Sequence, residues 1–219
     1  MKRSLKERVL RLSLLFAGLV IAHFGVTLFL LTDLGADPFN VFVQGIFRTL
    51  SRFLHVLTHG YTHLSICILI MLVLLFVDRS YVKIGTLVCM AFGGPIIDVF
   101  TRLLGNVIHP GNPFAMRLLT LAAGCVILAF GMTIVIKSDA GTGPNDLVAI
   151  VLSDKLAWPF GRTRIAVDLC FVAAGFLLGG VVGIGTLVSA FLVGPVAGIF
   201  LPRSEKIVKF FLKKTCGNK

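Results

Sequence analysis

The chain is short of charge. Only 14% of its 219 residues are Asp, Glu, Lys or Arg, against about 25% in a soluble domain. It holds no Walker loop, Gly-x-Ser-x-Gly elbow, His-Glu-x-x-His pair or dinucleotide fingerprint, so ATP-driven and hydrolytic mechanisms find no support. Its five cysteines form no Cys-x-x-Cys pair, and four of them lie in apolar runs. That pattern excludes a disulfide framework and speaks against a metal site. A net charge of +11 raises nucleic acid as a partner. The basic residues sit at the ends of apolar runs, however, and not on a face interleaved with exposed aromatics, so that partner is excluded.

What the chain has is apolar length. It is 57% hydrophobic, and the excess is arranged in runs long enough to cross a bilayer. The class is therefore a polytopic membrane protein in one compact unit, with the lipid bilayer as its first partner. Lys2, Arg3, Lys6, Arg8 and Arg11 precede the first run, Leu12–Leu31. That run is too long for a signal-peptide core and no cleavage pattern follows it, so it reads as a retained membrane helix.

One stretch is written twice: Asp33-Leu34-Gly35-Ala36-Asp37-Pro38-Phe39-Asn40, and Asp139-Ala140-Gly141-Thr142-Gly143-Pro144-Asn145-Asp146. Each copy ends a long apolar run and opens a shorter, more polar one. A shift of 106 lays Leu15–Pro38 on Leu121–Pro144 with 11 of 24 positions identical. A shift of 100 lays Ile84–Val88 on the identical Ile184–Val188, and Gly94-Pro95 on Gly194-Pro195. Scattered apolar matches arise by composition alone, but Asp, Gly and Pro in register do not. The chain is an internal duplication.

The expected fold is all-α: a membrane helical bundle of two repeats, four segments each, with a short or broken second helix in each repeat. The first repeat covers residues 1–104, a linker 105–116, the second repeat 117–203, and a basic tail 204–219. If the short segments cross, both halves start on the same side. The basic residues then gather at one face, leaving only Arg79, Lys83 and Lys137 at the other. The positive-inside rule thus predicts eight spans, both termini cytoplasmic, and repeats related by a parallel pseudo-two-fold axis.

The paired motifs, with the Ile-Gly-Thr and Gly-Pro helices after each, resemble the YczE/YyaS/YitT family of bacterial membrane proteins. The resemblance covers about residues 10–203. It implies a bacterial inner-membrane protein. The family as a whole has no established activity, although transport or export has been suggested for relatives, so no catalytic residues are carried over.

Candidate site residues follow from the breaks. A broken helix in hydrocarbon persists where it is buried in protein or lines a cavity. Paired discontinuous helices, one per repeat, build the sites of many transporters. The candidate substrate ligands are Asp33, Asp37, Asn40, Asp139, Asn145 and Asp146. The competing reading makes the same residues helix caps, which suits Asp33 and Asp139 best. Intramembrane charge candidates are Asp98 with Arg102 and Arg164 with Asp168. Each pair is spaced i, i+4 on one helix face, where it can neutralise itself. His23 reads as a packing hydrogen-bonder. His55, His59 and His63 recur every fourth residue but lack acidic or Cys partners, so no metal and no cofactor are expected. Two functional readings stay open, and neither is enzymatic. One is a secondary transporter or exporter of a small molecule with its site between the repeats. The other is a membrane scaffold for a partner enzyme.

Overall fold

The computed structural model describes residues 4–54 and 57–216. His55, and the terminal Lys2, Arg3 and Lys219, lie outside the described residues. The fold is all-α. In order, the helices are α1 (Leu5–Leu31), α2 (Pro38–Leu50), α3 (His59–Val77), α4 (Ile84–Leu104), α5 (Phe114–Ser138), α6 (Pro144–Leu156), α7 (Phe160–Leu177) and α8 (Ile184–Cys216). Five of them, α1, α3, α4, α5 and α8, are long and apolar enough to cross a membrane. The basic stretch after residue 203 is not a separate tail. It continues α8, and Ser204 and Val208 are buried against the bundle.

The short helices are short in a way that decides the topology. At about 1.5 Å per residue, 13 residues span about 20 Å, too little for a hydrocarbon core of about 30 Å. Both α2 and α6 begin with Pro, whose fixed φ and missing N–H suit the first turn. Just upstream, Gly35 and Gly141 sit at φ 137° and 136°, a region closed to most side chains.

The halves pack through α1 and α5, and they run antiparallel. Gly18 lies against Gly131, and Gly25 against Gly124, with backbone close enough that a Cβ on any of the four would clash. Small residues at such crossings let helix backbones approach within membranes. The ends agree. Arg11 Nη1 donates to the Ser138 carbonyl at 2.9 Å, and Arg117 Nε donates to the Thr32 carbonyl at 2.7 Å. The shift of 106 turns Arg11 into Arg117 and Thr32 into Ser138, so the two contacts exchange under a two-fold operation.

The parallel arrangement expected from charge counting is therefore corrected. It had counted α2 and α6 as crossings. Those two helices start inside the protein and do not count as crossings, and the antiparallel pairing of α1 with α5 inverts the second half relative to the first. The inversion moves Arg79, Lys83 and Lys137 to the face that bears Arg11: Lys83 pairs with Asp139, and Arg11 approaches the same carboxylate. Lys137 pairs with Glu205 of α8 at 2.8 Å. The opposite face keeps Arg48, Arg52, Arg102 and Arg117. Arg48 donates there to the Gly179 carbonyl at 2.7 Å.

The halves also trade elements. The short helix of each packs on the third helix of the other. In one contact α2 lies along α7, with Gly45 against Gly175 and Phe39 and Phe42 against Phe171. In the other, α6 lies along α3, where Leu74 packs on Leu147 and Val151.

Candidate functional site

The exchange brings the two broken helices to one place. A cavity of about 310 Å³ is lined by Asp37, Phe39 and Asn40 from the first motif and by Gly143, Pro144, Asn145 and Asp146 from the second. Its remaining walls come from His23 and Val26 of α1, Gly93 and Gly94 of α4, Leu128 and Met132 of α5, and Arg164 near the start of α7. His63 and Cys67 of α3 close another side.

The polar groups are differently tied in the two motifs. Asp37 caps α2: its Oδ1 accepts from the Asn40 backbone N–H at 3.1 Å and its Oδ2 accepts from Asn40 Nδ2 at 2.5 Å. At the equivalent position of α6 stands Gly143, with no side-chain cap. Asp146, equivalent to Asn40, instead accepts from Arg164 Nη1 at 2.5 Å. Arg164 Nε donates to Asp168 Oδ2 at 2.9 Å, and both residues are buried. Asp168 Oδ1 is buried with no hydrogen-bond partner among the described residues. A buried guanidinium held by two carboxylates is strongly bound in place, since removing one partner leaves an uncompensated charge.

Of the sequence-derived candidates, Asp37, Asn40, Asn145, Asp146 and Arg164 line this cavity. Asp168 stands behind it, joined through Arg164. Asp33 and Asp139 do not line it. Both adopt left-handed backbone at the ends of α1 and α5, φ 49° and 58°, as capping residues do. Asp98 and Arg102 are exposed on α4, and no ion pair joins them among the described residues. The Arg164–Asp146 bond was not foreseen: the two residues are 18 apart, on different helices, and carry no local spacing signal. His23 also proves to be a cavity residue. Its Nδ1 contacts the Leu19 carbonyl at 2.9 Å, and its Nε2 approaches Gly93. His63 meets Phe39 edge-on at 5.4 Å, while His59 opens α3. Among the described residues no three His, Cys, Asp or Glu side chains are grouped to hold a metal.

The junctions that hold the motifs repeat with one difference. The Gly185 N–H donates to the Leu34 carbonyl at 2.8 Å, and the Gly85 N–H donates to the equivalent Ala140 carbonyl at 2.9 Å. The Thr186 hydroxyl then donates to the Ala36 carbonyl at 2.6 Å. The hydroxyl of its counterpart Thr86 is buried with no partner among the described residues, and so is the neighbouring Thr142 hydroxyl.

The chain belongs to a family of unknown function, DUF6198, over residues 9–202. It is 28% identical over 206 residues to the uncharacterized membrane protein YczE of Bacillus subtilis (strain 168), covering 94% of this chain and 92% of that one. It is 23% identical over 189 residues to the uncharacterized protein YyaS of the same organism, covering 86% and 91%. An uncharacterized protein of Haemophilus influenzae is 26% identical over 190 residues, covering 87% of this chain and 83% of its own. No solved structure matches. The membrane assignment and the resemblance read from the motifs thus agree with the comparisons.

Proposed function

We propose that this family member is a secondary transporter or exporter of a small apolar or amphipathic molecule, with its site where the two motifs meet. The observation that carries this reading is the convergence of Asp37–Asn40 and Gly143–Asp146, from antiparallel halves, on one cavity around Arg164. Inverted halves with broken helices at a shared centre are suited to alternating access, because rocking one half against the other exposes the same site to each side in turn. No covalent step is part of the proposal. The protein would lie in the bacterial cell membrane with both termini cytoplasmic. Lys6, Arg8, Arg11, Lys83, Lys137 and Lys155, with the basic end of α8, share the face of the chain ends, as the positive-inside rule asks of a cytoplasmic face.

The test begins with thermal-shift screening of the solubilised protein against metabolites and antibiotics, since a ligand that binds only the native state raises its apparent stability. The hit is then followed across proteoliposomes. Asp146→Asn and Asn40→Ala are expected to abolish flux while the folded protein is still recovered. Unchanged flux in both would overturn the assignment. A stable copurifying enzyme with no small-molecule hit would turn the reading toward a scaffold.

A further inference from the structure

The two halves share a plan but not a state. In the second half, α7 and α8 are sealed together: a Cβ on Gly194 would lie 2.6 Å from the Gly161 carbonyl, and one on Gly161 would lie 2.8 Å from the Gly194 carbonyl. In the first half, Gly94 holds the place of Gly194, and a Cβ there meets nothing within 4 Å. Correspondingly, α3 leans on α2 and α6 and hardly touches α4. Both sides of that gap belong to the cavity wall, with His63 and Cys67 on α3 and Met90, Gly94 and Ile97 on α4. The outer surfaces beside it are apolar: Leu64, Ile68 and Leu72 of α3 and Phe92 of α4 are exposed. In a membrane the gap opens onto lipid.

The charge inside is one-sided. Asp37 and Asp146 line the cavity, and among the described residues Arg164 is the only full cation on its wall. Asp168 already binds that cation from behind, and Asp168 Oδ1 is left buried with no partner among the described residues. At the gap, exposed Asp98 lies one helical turn beyond Gly94, with Arg102 a turn further. Carboxylates therefore outnumber guanidinium around the site, and in a poorly screened interior such an excess favours a positive guest and repels a negative one.

We infer that the cavity binds an amphipathic organic cation, an apolar tail with one positive head, which enters sideways from the bilayer between α3 and α4. The head sits between Asp37 and Asp146, and the tail lies along Phe39, Val26 and Leu128. This rests on the transporter reading for its purpose but not for its test.

The test uses the full chain in lipid nanodiscs with three probes of equal tail: hexyltrimethylammonium, hexanesulfonate and hexanol. The readout is saturable binding in excess of empty nanodiscs. Only the ammonium is expected to saturate. Asp37→Asn, which keeps Arg164 and its partners in place, is expected to weaken it at least about tenfold. Gly94→Trp, placed where a Cβ meets nothing within 4 Å, is expected to slow its association about tenfold, with a thermal melt confirming that the variant is folded. Saturable sulfonate or hexanol binding of equal strength would overturn the cation. An unchanged association rate in Gly94→Trp would overturn the lateral route. Ammonium binding without flux in proteoliposomes would sustain the site and discard the transporter.

Discussion

The first and second halves differ most where their sequences are most alike. Ile84–Val88 and Ile184–Val188 are identical, as are Gly94-Pro95 and Gly194-Pro195. Yet α4 stands apart from α3 while α8 is pressed onto α7. Thr186 is bonded to the opposite motif, and Thr86 is not. A local sequence that adopts two packings in one molecule is not choosing its own environment. The environment is set by the partner helix, and α7 offers Gly161 where α3 offers bulkier neighbours such as Tyr61.

This contrast can be broken from the strongest point downward. The α1–α5 crossing is common to both halves and should not tolerate bulk. Gly25→Leu and Gly131→Leu are expected to prevent recovery of folded protein, a loss of at least about 3 kcal/mol from overpacking against backbone. Size-exclusion profiles and thermal melts read this, and a normal melt would remove the crossing from the account. Next comes Arg164→Met, expected to cost about 3–5 kcal/mol because Asp168 is left buried and unpaired and the half-buried Asp146 loses its cation. The same change in the other i, i+4 pair, Arg102→Met, should move the melt by less than about 0.5 kcal/mol, as for an exposed residue.

The threonine pair sharpens the comparison further. Thr186→Val strips the Ala36 carbonyl and the Gly183 N–H of their partner and is expected to cost about 1–3 kcal/mol. Thr86→Val removes a hydroxyl that bonds to nothing described and is expected to be neutral or slightly stabilising. Equal losses in the two would mean that the junctions are alike after all. The smallest expected effect is Gly94→Ala, near zero, against a clear loss for Gly194→Ala at the sealed contact.

Much of the candidate site was legible before any coordinates. Asp37, Asn40, Asn145 and Asp146 follow from a motif written twice, because Gly and Pro announce a break and polar residues after a break need somewhere to point. The Arg164–Asp168 pair follows from i, i+4 spacing alone. Two things were not legible. The Arg164–Asp146 bond joins different helices and leaves no periodic trace. His23 looks like any lone polar residue in an apolar run until α4 is seen beside it. The hand of the repeat was misread for a definite reason: charge counting depends on which segments cross, and α2 and α6 are apolar enough to be counted but too short to reach.

Composition, run length and duplication by themselves determined an all-helical membrane protein with two related halves and a break after the first helix of each. Those properties are local, since they depend on hydrophobicity per residue and on the backbone demands of Gly and Pro. Tertiary structure alone decided that the halves are inverted, that each lends its short helix to the other, and that one half is open where its twin is closed. Those properties depend on which backbones can approach which, at Gly18, Gly25, Gly124 and Gly131, and no single segment carries that information.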